Sequence, residues 1–224
     1  MCLRLSGAGD DVLIDCGATS MVAMKRAGVD PNAIAWIVLT HLHGDHFGGL
    51  PFLILDGQFS RRSRSLTIAG PPTVEARVRA AMEVFFPGST RVERRFPVQF
   101  VELDERKATM VGPAAVTAFP VVHASGAPSY AVRAEYGGKI VTYSGDTEWT
   151  ETLVEAADGA DVLVCEAYFF DKAMKFHLDY ARLMRERHRL TCRRLVLAHM
   201  SRDMLDRRAE VQAETADDMQ VLDL

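Results

Sequence analysis

Apolar residues along this chain gather in short runs that end on polar or glycine-rich turns, a pattern predicted for strands buried in an α/β core. Residues 1–5 and 12–17 read as a hairpin across the turn-rich stretch 7–11. Ile34-Ala35-Trp36-Ile37-Val38-Leu39 reads as a fully buried strand, and further strands are predicted over 66–69, 96–103, 114–122, 130–135, 140–143, 161–167 and 194–201. Gly137-Gly138 turns one of these back on the next. Helices fall between them: 20–27, stopped by Gly28, then 50–55, then one opened by Val74. In that last helix Val74, Val78, Ala81, Met82 and Phe85 recur at helical spacing, which predicts one buried face. Leu178, Ala181, Met184 and Arg185 mark another helix. The charged stretch 204–218 reads as helical, and 219–224 as a last edge strand. Strands alternating with helices place the chain in the α/β class.

At 224 residues, the chain is predicted to form one domain spanning 1–224 with one sizeable core. Its hydrophobic fraction of 48% and charged fraction of 25% exclude disordered and fibrous classes. A net charge of -4 gives no overall attraction to nucleic acid or to anionic membranes. No apolar run is long enough to span a bilayer, and the N-terminus lacks the pattern of a signal peptide, so a cytoplasmic location is expected. Cys2, Cys16, Cys165 and Cys192 are widely spaced and are expected to be reduced thiols. Arg61, Arg62, Arg64, Arg77, Arg79, Arg91, Arg94 and Arg95 could line a phosphate-receiving rim. The better reading is a solvated face balanced by Glu75, Glu83 and Glu93.

The chemistry is concentrated in Thr40-His41-Leu42-His43-Gly44-Asp45-His46-Phe47-Gly48-Gly49-Leu50, directly after the buried strand 34–39. Imidazoles and a carboxylate are ligands that zinc and similar divalent metals accept, and four on one short turn converge without long-range folding cost. Side chains alternate on an extended backbone, so His41 and His43 point the same way, leaving Asp45 and His46 for a second metal. A solvated His-rich loop would not require the buried strand before it or glycines at these places.

This turn resembles the signature of the metallo-β-lactamase fold hydrolases, which implies a four-layer αβ/βα sandwich with one or two metals at the edge between two sheets. Tyr143-Ser144-Gly145-Asp146-Thr147, the strand carrying Glu166 and the strand ending in His199 resemble the ribonuclease Z-like branch. These matches run from Val12 to Ser201. Members of the family have a further strand before the first hairpin. Here the expectation is that the natural chain begins upstream of Met1, or that an edge strand has been lost and the edge is covered in a homodimer.

The resemblance implies that His41, His43 and His123 hold one divalent metal while Asp45, His46 and His199 hold another, with Asp146 bridging. Zinc is the default, with manganese or iron nearly as suitable. Such metals lower the pKa of water to about 7 and polarise the attacked group. Asp45 would orient the attacking water, His177, held by Glu166, would protonate the departing alkoxide, and Asp15 would support the metal loop. His188, among arginines, reads as solvated. The leading expectation is hydrolysis of a small or cyclic phosphodiester, with no membrane partner. tRNA is disfavoured as a partner, because ribonuclease Z enzymes that clamp tRNA carry a long arm between the positions of His123 and Asp146, where this chain has room only for a tight hairpin. The same centre would also suit carboxylic esters, lactones or sulfate esters. A non-hydrolytic accessory protein on this scaffold would be expected to show a broken ligand set.

Overall fold

The predicted N-terminal hairpin forms: β1 (Leu3–Leu5) runs antiparallel to β2 (Val12–Ile14), with Leu3 opposite Ile14. The computed structural model describes all 224 residues and divides them into two compact units. The first comprises Met1–Leu103, Thr109–Ala115 and Ser125–Ala127, and the second comprises Asp104–Ala108, Val116–Ala124 and Pro128–Leu224.

In the first unit the chain continues through α1 (Ser20–Arg26), β3 (Trp36–Val38), the one-turn α2 (Gly44–Phe47), α3 (Leu50–Phe59), β4 (Leu66–Gly70), α4 (Val74–Phe85) and β5 (Val98–Glu102). The strands form one sheet in the order β1-β2-β3-β4-β5. From β2 onward they are parallel, with Leu13 opposite Ile37 and Ile37 opposite Ile68. Parallel strands joined by helical crossovers are covered on both faces, which is why β2 and β4 are buried throughout. Leu13, Ile37 and Ile68 pack with Leu50, Leu53, Val78 and Phe96, each buried side chain contributing roughly 1.5–3 kcal/mol.

Two expectations are corrected here. Phe85 is half-exposed on α4, its ring 5.3 Å from that of Phe52, so the buried face is narrower: Val74, Val78 and Met82. Arg62 is buried, not solvated. It donates to the carbonyls of Ile34, Arg64 and Ser65 and its guanidinium lies over the Phe96 ring. Arg79 does behave as a solvated residue, pairing with Glu75 one turn away, and Arg64 pairs with Asp10.

A seven-stranded sheet, most of whose residues belong to the second unit, is formed by β6 (Ala108–Val111), β7 (Ala114–Val121), β8 (Ser129–Tyr136), β9 (Lys139–Tyr143), β10 (Val162–Glu166), β11 (Arg194–Ala198) and β12 (Glu214–Thr215). Their order is β12-β11-β10-β9-β8-β7-β6. β8 and β9 make the predicted antiparallel hairpin, while β9, β10, β11 and β12 are parallel. Helices α5 (Glu151–Ala157), α6 (Tyr180–Glu186) and α7 (Arg202–Asp206) follow β9, β10 and β11. β6 was not foreseen, because only one of its four residues is buried and Met110 on it is 67% exposed.

The tail also departs from expectation. Stretch 204–218 holds the end of α7, a 3₁₀ turn at Arg208–Glu210 and β12, and residues 219–224 form no strand. Ion pairs of Arg194 with Glu214 and of Arg208 with Asp217 fasten this tail in extended form, so its charges serve specific partners rather than a helical face. The four cysteines are free thiols, and no helix is long and apolar enough to cross a membrane.

Candidate metal centre

The first unit carries four of the candidate ligands on one segment. β3 stops at Val38, and Leu39 still donates its N–H to Ala69 of β4, so the sheet holds the chain up to the loop. His43 then caps α2, its carbonyl accepting the N–H groups of His46 and Phe47. Asp45 and His46 therefore lie on a helical turn. His41 and His46 are buried, their ring centroids 4.0 Å apart, and His43 is half-buried with its ring 5.0 Å from that of His41. The Asp45 side chain is 60% exposed.

Asp15, fully buried at the end of β2, holds this arrangement. One of its oxygens accepts the Thr40 N–H at 2.8 Å, and the other accepts the Thr40 hydroxyl at 2.9 Å and the His46 Nδ1–H at 2.7 Å. The Thr40 hydroxyl in turn accepts from His41 Nδ1 at 3.0 Å. Fixing Nδ1 of both imidazoles presents Nε2 as the ligating nitrogen, the usual tuning of a metal-binding histidine by a carboxylate or hydroxyl behind it. Asp15 has φ +63, a left-handed conformation uncommon for a residue with a side chain. Gly17 makes the bend possible. A Cβ there would overlap the Asp45 carbonyl oxygen, and the Cys16 N–H donates to His46 O at 2.7 Å.

The second unit assembles four residues from separate strand ends, His123, Asp146, Glu166 and His199, and a fifth, His177, from the loop between β10 and α6. His123 follows β7 and donates from Nδ1 to Phe176 O at 2.8 Å, again presenting Nε2, which lies 4.0 Å from Asp146 Oδ2. Asp146 follows β9 through Gly145, whose φ is +58. Glu166 is the last residue of β10, and His199, at φ +52, is the first beyond β11. Potential ligand atoms of Asp146, Glu166, His177 and His199 lie within 4.8 Å of one another. His177 Nδ1 donates to Glu166 Oε2 at 2.9 Å, and the rings of His177 and His199 are parallel to within 5° at 6.1 Å. The Tyr168 ring lies against both.

Both Glu166 oxygens are committed within this unit, one to the Thr147 N–H and the other to His177, so Glu166 supports its neighbours rather than offering an oxygen outward. Burial pushes its carboxyl above the usual carboxylate range, the His177 hydrogen bond opposes this, and the nearby Asp146 charge adds to it. Burial likewise raises the Cys16 and Cys165 thiols, which fits inert packing residues. His188 is exposed, as expected, and donates to Arg185 O. The set of imidazoles and carboxylates, with Nδ1 of His41, His46 and His123 engaged by protein oxygens, fits divalent cations of the zinc, manganese or iron type. The supporting role of Phe176 carries no signal in the sequence, because it works through a backbone carbonyl placed by the fold.

The chain is similar to several known proteins. The Beta-lactamase superfamily domain family matches residues 10–200. The ribonuclease Z of Agathobacter rectalis is 29% identical over 76% of this chain and 69% of its own length. Human tRNase Z, short form, superposes with a TM-score of 0.76 at 24% identity, covering 99% of this chain and 91% of that one. A diphosphatase from the PhnP family superposes with a TM-score of 0.76 at 19% identity over 100% of this chain and 83% of that one. The strand-end histidines and carboxylates, the two sheets and the match over most of the length lead to one conclusion: the chain is a hydrolase of the metallo-β-lactamase superfamily.

Proposed function

We propose that this hydrolase is a metal-dependent phosphodiesterase acting on a small or cyclic phosphodiester. The observation that carries the reading is the pairing of His177 with the buried Glu166 at 2.9 Å, beside Asp146 and His199. Cleaving a phosphodiester leaves an alkoxide that must gain a proton, and His177 is supplied for that purpose: Glu166 holds Nδ1 and stabilises the imidazolium, while Nε2–H is the proton to be given. His41, His43 and His123 would hold one divalent metal, Asp45, His46 and His199 another, and Asp146 would be shared. The ions would supply a nucleophilic water at neutral pH and polarise the phosphoryl oxygens. Asp45, the exposed carboxylate of the set, would orient that water, and Asp15 through Thr40 would keep the ligand loop in register.

Relatives named ribonuclease Z favour a second reading, a phosphodiester within RNA. The short connection weighs against it: between His123 and Asp146 the chain holds only a five-residue loop and the β8–β9 hairpin, closed by Gly137-Gly138. The test is metal content per chain on protein purified without chelator, with hydrolysis of bis(p-nitrophenyl) phosphate before and after stripping and restoring zinc or manganese. A parallel panel holds cyclic nucleotides, a tRNA precursor, a lactone and an aryl sulfate. Two metals per chain with restorable turnover, highest on the small phosphodiesters, is the expected result. Preference for the tRNA precursor would establish the second reading. Preference for the lactone or sulfate would overturn both.

A further inference from the structure

Phe176 has φ +70, a conformation that a residue with a bulky side chain rarely adopts. It immediately precedes His177, and its carbonyl is the acceptor for His123 Nδ1–H at 2.8 Å. Its own N–H is donated to Glu148 Oε1 at 2.8 Å. Glu148 is tied in turn to the strand end that presents His123: its N–H donates to Val122 O at 3.2 Å, and the neighbouring Thr147 hydroxyl accepts the Val122 N–H at 3.1 Å. Two functional histidines are therefore set by one strained peptide unit, and one carboxylate holds that unit. A left-handed Phe persists only where its surroundings over-determine it, and the Glu148 hydrogen bond supplies that constraint.

We propose that Glu148 is a positioning residue that, through Phe176, fixes the His123 tautomer and the placement of His177 together. With the Phe176 carbonyl in place, His123 keeps its proton on Nδ1 and presents the Nε2 lone pair. If the peptide relaxes, the carbonyl turns away, the tautomer is no longer specified, and His177 shifts relative to Glu166. The proposal rests on His123 being a ligand and His177 the proton donor.

The test uses the full chain. In metal-free protein, imidazole nitrogen chemical shifts should report a single Nδ1–H tautomer for His123 in the wild type and in E148Q, whose amide oxygen still accepts the N–H, and a tautomer mixture in E148A. By chelator competition, E148A should bind zinc about 10–100-fold more weakly, with E148Q staying within about threefold of wild type. On bis(p-nitrophenyl) phosphate, E148A should lose kcat with KM little changed. Glycine adopts positive φ freely, so in the F176G background the E148A change should cost much less metal affinity than in the wild type. This cycle also reads the coupling if E148A alone fails to fold. E148A with wild-type tautomer and zinc affinity, E148Q as impaired as E148A, or equal E148A effects in both backgrounds would overturn the proposal. H123A separates the layers: unchanged zinc binding in H123A removes the ligand reading itself, whereas zinc loss in H123A alongside wild-type behaviour of E148A removes only the role of Glu148.

Discussion

The two units hold their candidate ligands in opposite ways. In the first, His41, His43, Asp45 and His46 lie on one segment and a single buried carboxylate, Asp15, braces it through Thr40 and His46. In the second, the candidates are scattered along the chain: Asp146, Glu166 and His199 meet because β9, β10 and β11 run parallel and end at the same edge, while His123 comes from the end of β7 and His177 from the loop before α6. The register makes this explicit: Glu166 is opposite Ala198, one residue before His199. The first arrangement is local and depends on one brace, while the second depends on sheet register and has several. Each unit also places a left-handed residue at a strand end, Asp15 in one and His199 in the other, the strained backbone that accumulates at functional sites.

The comparison predicts unequal consequences for losing a brace. Asp15→Ala should have the largest effect, because the buried His46 and Thr40 lose a shared acceptor at once: about 3–5 kcal/mol of stability by urea denaturation. Bound metal per chain should fall with it. If Asp15→Ala unfolded like the wild type, the first unit would not depend on this carboxylate. His177→Ala in the second unit should instead leave the folded state and metal content largely intact while reducing kcat about 10²–10⁴-fold on a diester with a poor leaving group. The loss should shrink for a p-nitrophenolate leaving group, which needs no proton. An equal loss on both substrates would mean that His177 acts on something other than the departing oxygen.

The same contrast explains what could be read from the sequence. The loop 40–50 was legible because its function needs neighbouring residues, and neighbours in sequence can be seen without the fold. His123, Asp146 and His199 were legible only as strand-end residues resembling a known family, since nothing local distinguishes His123 from an ordinary histidine after a strand. Phe176 and Glu148 were not legible at all, because one acts through its carbonyl and N–H and the other through an acceptor oxygen that any loop glutamate possesses. In the fold, apolar runs marked the buried strands well. The half-exposed β6, the two-residue β12 and the turn of Arg62 into the core depend on partners distant in sequence, which hydrophobic period does not encode.

A smaller test bears on how tightly the first unit is closed. A methyl group at Gly17 would meet the Asp45 carbonyl oxygen, which is backbone and cannot swing aside. Gly17→Ala should therefore push the α2 turn away from the bend at Asp15, at roughly 1–3 kcal/mol by thermal or urea denaturation. It should weaken zinc binding without creating the preference for good leaving groups expected of His177→Ala. Altered leaving-group dependence in Gly17→Ala would mean that the bend at Gly17 affects more than metal binding.

The smallest expected effect concerns two carboxylates shifted in opposite directions. In the second unit, burial raises Glu166. In the first, Glu83 is lowered from 4.5 to about 2, because it accepts hydrogen bonds from the Thr90 hydroxyl and from the Gly88 and Thr90 N–H groups after α4. A carboxylate whose folded-state pKa is depressed contributes stability that is fully present above its unfolded value and is lost as pH falls through the folded one. Glu83 should thus support the turn at Ser89–Arg91 above about pH 4.5, and progressively less down to about pH 2. Glu83→Gln should lower the urea midpoint slightly at neutral pH, and that difference should narrow as the pH is taken below about 4.5, because the wild-type residue then loses the charge that the variant never had. A difference that is constant with pH would trace the stabilisation to the shape of the side chain rather than to its charge.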